Sequence, residues 1–366
     1  MSNDLFYQIA LTMIPFIGDV HARELMQHFG DAEKVFSAKK STLNRIPGIG
    51  TIRSENIKSF NDFKRVEKEI DFIERYKIQV LQFTETNYPK RLSHCYDAPV
   101  LLYYKGNADL NSSKILSVIG TRNPTDYGKE MVENLIRDLA KHDVVICSGL
   151  AYGIDTHAHK AALKNSLSTV GVLAHGLDRI YPPANKSLAK EMTEQGGLLT
   201  DFISGTKPDK QNFPKRNRIV AGMSDATLVI ETQMNGGSMI TAELANSYNR
   251  EVFALPGKIT DTKSTGCNYL IGNNKAALIT GADDILNMMN WQNTPAKKRV
   301  IQRELFVDLT EEERLILSII TEKEAVSIDE MIPLSQLNSG AIAAAILSLE
   351  LEGLITTLPG KIYRLS

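Results

Sequence analysis

A basic segment built around one aromatic ring is the feature of this sequence that could most directly bind a ligand. Between residues 207 and 218 it holds five cations against one acid, a local charge of +4 in a chain of net charge −1. The ring belongs to Phe213. Cations along a phosphate backbone, with a ring on which a base stacks, are typical of single-stranded nucleic-acid binding. A solvated loop with Phe213 anchored in the core explains the same residues equally well. The five cations are Lys207, Lys210, Lys215, Arg216 and Arg218.

Small residues and one arginine follow several predicted strands, at points where a helix is predicted to begin. Arg122 lies in "GTRNPTDYG", Ser148 and Gly149 lie in "SGLAYGIDTHAH", and Gly237 and Ser238 lie in "NGGSMITAELA". The free N–H groups at a helix start bind anions, so these segments predict an anion-binding surface. Their spacing is not GxGxxG and no Walker pattern is present, so we expect no dinucleotide, ATP or other cofactor.

Other groupings of reactive residue types favour neither a metal site nor a catalytic nucleophile. Asp155, His157 and His159 are spaced so that only the first and the last share a helical face, and two ligands do not make a metal site. No serine or cysteine lies in a nucleophile elbow. Glu243, on the helix predicted after "NGGSMITA", is either catalytic or a surface acid.

The elements that must position these residues alternate between short β-branched runs and helical runs over residues 111–288. This alternation predicts an α/β fold with a doubly wound, Rossmann-like parallel sheet. Ligands of such sheets bind outside the carboxyl ends of the strands, where the segments above lie. The predicted strands are "ILSVIGT", "VVICSG", "TVGVLAHG", "GLLTDF", "ATLVIET", "EVFALPG" and "ALIT".

Further segments flank this domain. Residues 1–65 are helical in pattern and carry a weak repeat, Ile-Pro-x-Ile-Gly followed by a helix, which predicts a helix-hairpin-helix or SAM-like module. The second copy has Gly48 where a backbone could approach phosphate, whereas the first has Phe16, so direct DNA contact by this module stays open. We read residues 66–110 as a connecting layer and residues 289–304 as a linker.

The last segment, residues 305–366, predicts three helices and a hairpin that turns at Pro359 and Gly360, the order of a winged-helix-like domain. Its acids outnumber its bases by ten to four. The helix that would read DNA, the second helix of the helix-turn-helix, would span about 338–353, where there is no Lys or Arg. Because DNA affinity depends heavily on neutralising phosphates, we expect a protein-contact or regulatory module rather than a DNA reader.

The composition is that of a globular protein, with 366 residues of which 43% are apolar. No apolar run approaches the roughly 20 residues that span a bilayer, and the N-terminus lacks the basic start and apolar run of a signal peptide. The three cysteines are scattered, which favours a reduced, cytoplasmic protein without disulfides.

Seven ordered blocks over about 160 residues resemble the DNA-processing protein DprA (Smf) family. The blocks are "SVIGTRNPTDYG", "VICSGLAYGIDTHAHKAAL", "GVLAHGLDRIYPPAN", "GGLLTDF", "FPKRNRIVAGMSDATLVIE", "GGSMITAELA" and "EVFALPG…STGCNYLI". The resemblance implies a dimeric bacterial protein that binds single-stranded DNA, protects incoming DNA during natural transformation and helps to load the RecA recombinase. It implies no enzymatic activity.

The resemblance also implies which residues contact DNA. This chain departs from the usual family sequence in the third block, where it has His175 and the family more often has Gly. The histidine could alter the wall of the groove. The positions carried over are Arg122, Ser148, Gly149, Lys210, Phe213, Lys215, Arg216, Asn217, Arg218, Gly237 and Ser238.

An enzyme of another class is the alternative. Nucleotide-monophosphate phosphoribohydrolases of the lysine-decarboxylase-like (LOG) group carry a PGGxGTxxE block. "NGGSMITAE" keeps its two glycines and Glu243 at the matching spacing, but has Asn235 in place of Pro and Met239-Ile240 in place of Gly-Thr. The bulky Met239 would crowd the phosphate of the ligand.

Overall fold

The structure of this protein is a computed structural model that describes residues 3–292, 309–323, 325–352, 354–358 and 362–365. It divides into two compact units, Met1–Gln292 and Asn293–Ser366, which are described separately. Most of the predicted linker and the predicted turn at Pro359 and Gly360 lie outside the described residues. The domain boundaries given above stay predictions.

A nine-stranded sheet organises the first unit, in the order β1-β2-β6-β5-β4-β3-β7-β8-β9. The seven strands β3–β9 pair in parallel, and each coincides with a predicted strand. The strands are β1 (Gln79–Gln82), β2 (Leu101–Gly106), β3 (Ile115–Ile119), β4 (Val145–Ser148), β5 (Thr169–Val172), β6 (Gly196–Thr200), β7 (Ala226–Val229), β8 (Glu251–Ala254) and β9 (Ala277–Leu278).

Helices cover both faces of this sheet, which confirms the doubly wound fold. Apolar side chains of α11, α12 and α13 pack on one face, and those of α8, α9 and α14 on the other. The helices of the unit are α1 (Asn3–Thr12), α2 (Asp19–Phe29), α3 (Ala32–Ser37), α4 (Lys40–Leu43), α5 (Gly50–Ser59), α6 (Phe63–Tyr76), α7 (Lys90–Ser93), α8 (Asp126–Leu139), α9 (Ile154–Lys164), α10 (Lys186–Glu194), α11 (Asn212–Gly222), α12 (Gly237–Ser247), α13 (Thr265–Gly272) and α14 (Ala282–Met288).

The strand order places the topological switch point between β3 and β7. From β3 the chain winds outward through β4, β5 and β6, and it then returns to place β7 on the other side of β3. Crossovers on opposite faces leave a crevice at the carboxyl ends of these two strands. The loops after β3 and β7 must therefore form the walls of any ligand site.

The segment read as a connecting layer contributes two strands that the sequence did not predict. β2 pairs antiparallel with β6, and β1 pairs antiparallel with β2. They extend the sheet at the edge remote from the switch point. Their outer face packs against the helical module, because Val100, Leu101 and Tyr103 belong to the same apolar core as α1, α2 and α6.

In the N-terminal module, each copy of the predicted repeat leads into a helix, α2 or α5. Gly48 has φ 77° and Phe16, at the equivalent position of the first copy, has φ 65°. Both residues adopt the left-handed conformation, which costs an L-residue such as Phe more than it costs glycine. The repeat is therefore a repeat of backbone geometry, in which the first copy carries an exposed phenyl ring.

The second unit has the winged-helix order. The first helix is followed by two more, and β11 pairs antiparallel with β12 as the predicted hairpin. A short strand, β10, also pairs with β12 and was not predicted. The elements are α15 (Glu311–Lys323), β10 (Ala325–Ser327), α16 (Ile328–Ser335), α17 (Ser339–Leu351), β11 (Ile355–Leu358) and β12 (Ile362–Leu365).

A largely buried ion-pair cluster joins the helical module to the sheet. The Arg218 guanidinium on α11 lies 2.6 Å from the Asp19 carboxylate on α2 and 2.8 Å from the Asp201 carboxylate just after β6. It also donates to the Asp97 carbonyl. Burial raises the pKa of Asp201, and the positive charge of Arg218 opposes that rise. Arg218 thus holds three separate parts of the chain together.

Replacing Arg218 by Met should destabilise the first unit by about 2–4 kcal/mol, because two largely buried carboxylates would lose their counter-charge. Urea unfolding followed by circular dichroism measures this. The neighbouring exposed Lys215→Met is the matched control and should change stability by less than about 0.5 kcal/mol. Equal stability of the two variants would show that the cluster does not hold the module to the sheet.

Candidate nucleic-acid interface

A cleft of about 690 Å³ opens at the switch point, between the loops that follow β3 and β7. The N-terminal ends of α11 and α12 form further parts of its wall. The cleft brings together eight of the eleven residues that the resemblance implied, and these are Arg122, Gly149, Lys210, Phe213, Arg216, Asn217, Gly237 and Ser238.

The other three predicted residues lie outside the cleft. The Ser148 side chain is fully buried and donates a hydrogen bond of 2.6 Å to the Val118 carbonyl, so it serves the packing of β4 against β3. Lys215 is exposed but does not line the cleft. Arg218 is engaged by the carboxylates described above. The structure therefore gives these three side chains no place on the cleft wall.

Arg216 is the buried cation of the cleft. Its side chain is 5% exposed, and it donates to the Val172 carbonyl and to the Asn217 side chain. Burial lowers the pKa of Arg216, while the nearby charge of Asp155 favours the protonated form. Among the described residues Arg216 forms no ion pair within 4.0 Å. Arg216 thus presents a positive charge that an anion in the cleft would neutralise.

Gly149 explains how the guanidinium reaches this position. A Cβ atom at residue 149 would lie 2.1 Å from Nη1 of Arg216 and 2.4 Å from Oδ2 of Asp155. Both side chains are buried and cannot move aside without losing their contacts. The absence of a side chain at the end of β4 is what lets cation and acid approach the backbone here.

Phe213 forms the wall of the cleft together with a cation and a second ring. The Arg122 guanidinium carbon lies 5.2 Å from the centroid of the Phe213 ring, within the range of a cation–π contact. The Tyr181 ring lies 6.2 Å away, inclined by 56°. Phe213 is half-buried and Tyr181 is 44% exposed, so both rings keep area on which a planar ligand could stack.

Tyr181 was not among the predicted site residues. It belongs to "HGLDRIYPP", which follows the third predicted strand, so its position beyond a strand end was a usable signal. Thr121, Gln233 and Ile240 also line the cleft and were not predicted.

The loop that carries Arg122 is held by Glu231, a buried acid just beyond the end of β7. The Thr121 amide donates to the Glu231 carbonyl at 2.7 Å, and the Thr125 amide donates to its carboxylate at 2.9 Å. The Thr125 hydroxyl donates to the same carboxylate. Glu231 therefore spans the switch point and fixes the loop on which Arg122 stands, without itself lining the cleft.

Two helix starts supply further anion-binding groups. α11 begins at Asn212 and α12 begins at Gly237, and neither is capped by a side chain. The Ser238 hydroxyl donates to Thr232 at 2.7 Å, so its backbone rather than its side chain is the group offered to a ligand. The first N–H groups of a helix have no acceptor within the helix and attract anions.

The remaining reactive groups have structural partners or are buried. Both ring nitrogens of His159 are engaged, by Thr169 at 2.7 Å and by the Gly149 carbonyl at 2.6 Å. The three cysteines are unpaired and buried, and burial raises the pKa of Cys147 to about 12, so the thiol stays protonated at neutral pH. Over the described ranges, no group of three metal-ligating side chains occurs. None of the helices described here is long and apolar enough to cross a membrane.

Family models match three parts of the chain. Residues 79–290 match the model of DNA recombination-mediator protein A, and residues 307–361 match the DprA winged helix domain. Residues 9–70 match the helix-hairpin-helix motif. These matches agree with the three kinds of domain predicted from the sequence.

Curated relatives and solved structures agree with the models. Protein Smf of Synechocystis is 31% identical over 99% of both chains. DprA of Streptococcus pneumoniae is 46% identical over 54% of this chain and 70% of the relative. The crystal structure of that protein superposes with a TM-score of 0.67 at 34% identity, covering 78% of this chain and 98% of the other.

DprA of Helicobacter pylori, solved in a study of the single-stranded DNA binding mode of that protein, superposes with a TM-score of 0.53 at 32% identity. It covers 59% of this chain and 97% of the other. A model matching more than half of the chain and a relative matched from end to end lead to one conclusion. This chain belongs to the DprA/Smf family of DNA-processing proteins.

Proposed function

We propose that the cleft at the switch point binds single-stranded DNA. The observation that carries this proposal is the placement of Phe213 between cations, with Arg122 at 5.2 Å from its ring and Arg216 and Lys210 on the same cleft wall. The cations follow the phosphate backbone and the ring stacks on a base. Stacking of this kind needs an unpaired base, which a duplex does not offer.

The similarity to the Helicobacter pylori protein supports a single strand as the ligand, since the binding studied there is to single-stranded DNA. Membership of the family supports further roles for this chain. These are the protection of incoming DNA during natural transformation, the loading of RecA recombinase and action as a homodimer in the cytoplasm.

The hydrolase alternative is less well supported by the geometry. The carboxylate of Glu243 forms an ion pair of 2.7 Å with Lys275 and does not line the cleft. Met239, at a position where the hydrolase block has a small residue, is buried at the start of α12. The acid that this chemistry requires is thus turned to a different surface, and we propose a binding protein rather than an enzyme.

The winged-helix unit is proposed to contact protein. α17, the helix that would read DNA, has no Lys or Arg and exposes Leu347 and Leu351, which are 59% and 80% exposed. α15 begins with three consecutive acids. Exposed leucines among acids suit a protein surface better than a phosphate backbone.

Changing Arg122 or Lys210 to Ala should weaken binding to single strands of every sequence. Each lost phosphate contact should reduce the slope of log affinity against log salt by about 0.7. Fluorescence anisotropy with a labelled oligonucleotide measures the slope. The NaCl concentration is varied from about 50 to about 300 mM, a range over which the screening of charges changes strongly. Lys215→Ala is the control, since that lysine lies outside the cleft. An unchanged slope in both cleft variants would show that Arg122 and Lys210 do not contact the phosphates of the strand.

Phe213→Leu should lower single-strand affinity by about 1–3 kcal/mol and leave the melting temperature nearly unchanged, because the ring is proposed to stack on a base. Phe72→Leu, a half-buried phenylalanine of α6 away from the cleft, is the matched control. Anisotropy and thermal unfolding are measured on both. A fall in melting temperature with normal affinity would assign Phe213 to the core instead.

Removal of the winged-helix unit should leave single-strand affinity within about threefold, because an acidic surface neutralises no phosphate. The chain is cut after Gln292, since Trp291 is buried in the core of the first unit. Calorimetry and light scattering establish that the shortened protein keeps its fold and oligomeric state. A loss of about a hundredfold in a folded truncation would mean that the unit contacts DNA.

A further inference from the structure

A second, smaller cavity of about 30 Å³ lies beside the cleft and shares part of its wall. Arg122, Tyr181, Phe213 and Arg216 line both spaces, so the cavity adjoins the surface where a base would stack. His175, which follows β5, also lines the smaller cavity. The volume suits one water molecule or one small substituent, not a whole base.

The state of His175 determines what the cavity can bind. Its side chain is 1% exposed, and Nδ1 lies 2.9 Å from the Gly176 carbonyl. A carbonyl oxygen only accepts, so Nδ1 carries the hydrogen. Burial lowers the pKa of His175, against the smaller opposing effect of the Gly176 and Tyr181 carbonyls, and the ring is neutral at neutral pH. Nε2 is then a bare acceptor.

This acceptor has no hydrogen-bond partner in the described part of the chain. A buried polar atom without a partner is rare and unfavourable, and it calls for an explanation. The Tyr181 carbonyl near the ring cannot supply a donor. What the cavity lacks is therefore a small hydrogen-bond donor that enters from the side of the cleft.

We propose that this cavity receives the exocyclic amino group of one base of the bound strand, which donates to Nε2 of His175 while the base stacks at Phe213 and Tyr181. The proposal rests on the proposed single-strand binding and adds a base preference to it. Cytosine, adenine and guanine carry such an amino group. The exocyclic groups of uracil and thymine are carbonyl oxygens, which the lone pair of Nε2 repels, and their one N–H donor, at N3, is part of the ring and does not project into so small a cavity.

The comparison of oligo(dC) with oligo(dU) of equal length tests this directly. The two pyrimidines differ at C4, which carries an amino group in cytosine and a carbonyl in uracil, and at the adjacent N3, which carries a hydrogen only in uracil; neither has a methyl group. With the full-length protein at pH 8, where the cytosine strand stays unfolded, anisotropy should show oligo(dC) binding about fivefold more tightly or better. Both strands should show the same dependence on salt.

His175→Phe removes Nε2 but keeps a planar ring, and it should bring the two affinities to within about twofold. His28→Phe, an exposed histidine of α2, is the control and should keep the preference. A preference that survives in a folded His175→Phe protein would overturn the role of His175.

The measurement on the unmodified chain needs no variant and decides the matter even if His175→Phe does not fold. Equal affinities of the unmodified chain for the two strands would mean that a water fills the cavity, and the proposal would be wrong while single-strand binding stands. Absence of salt-dependent binding to either strand would instead refute the proposed function.

Discussion

The structure of the cleft depends on holding the positive charge of Arg216 inside the protein. A buried guanidinium is unfavourable unless hydrogen bonds and nearby charges compensate the water that it loses. Here the Val172 carbonyl, the Asn217 amide oxygen and the charge of Asp155 compensate in part. Gly149 makes the close approach feasible. A phosphate in the cleft would complete the compensation. The ligand proposed for the cleft is thus also a group that would stabilise the buried charge of Arg216.

The same helix that buries Arg216 separates the other cations of the basic segment. Successive residues of an α-helix point about 100° apart, so Lys215, Arg216 and Arg218 face three different surroundings. Lys215 faces solvent, Arg216 faces the cleft, and Arg218 faces the ion-pair cluster with Asp19 and Asp201. One short run of basic residues thus contributes both to the cleft wall and to the attachment of the helical module.

The walls of the cleft are positioned by the switch point of the sheet. Glu231 follows β7 and holds the loop that follows β3. β3 and β7 are neighbouring strands only because the chain reverses its winding between them. The aromatic wall combines Phe213 at the start of α11 with Tyr181 from the loop after β5. Because each wall comes from a different crossover, a ligand laid across the cleft would contact several independent elements at once.

The sequence by itself determined the seven parallel strands, since β-branched runs alternating with helical periods have few other solutions. It also located the loops that line the cleft, because ligands meet a parallel sheet at the carboxyl ends of its strands. Only the tertiary structure decided which cations face the cleft. The partner of Arg218 that removes it from the site, Asp19, lies 199 residues away in sequence. The antiparallel strands β1 and β2 and the unpaired Nε2 of His175 were hidden for the same reason. Each is defined by neighbours that folding brings together and that no local pattern records.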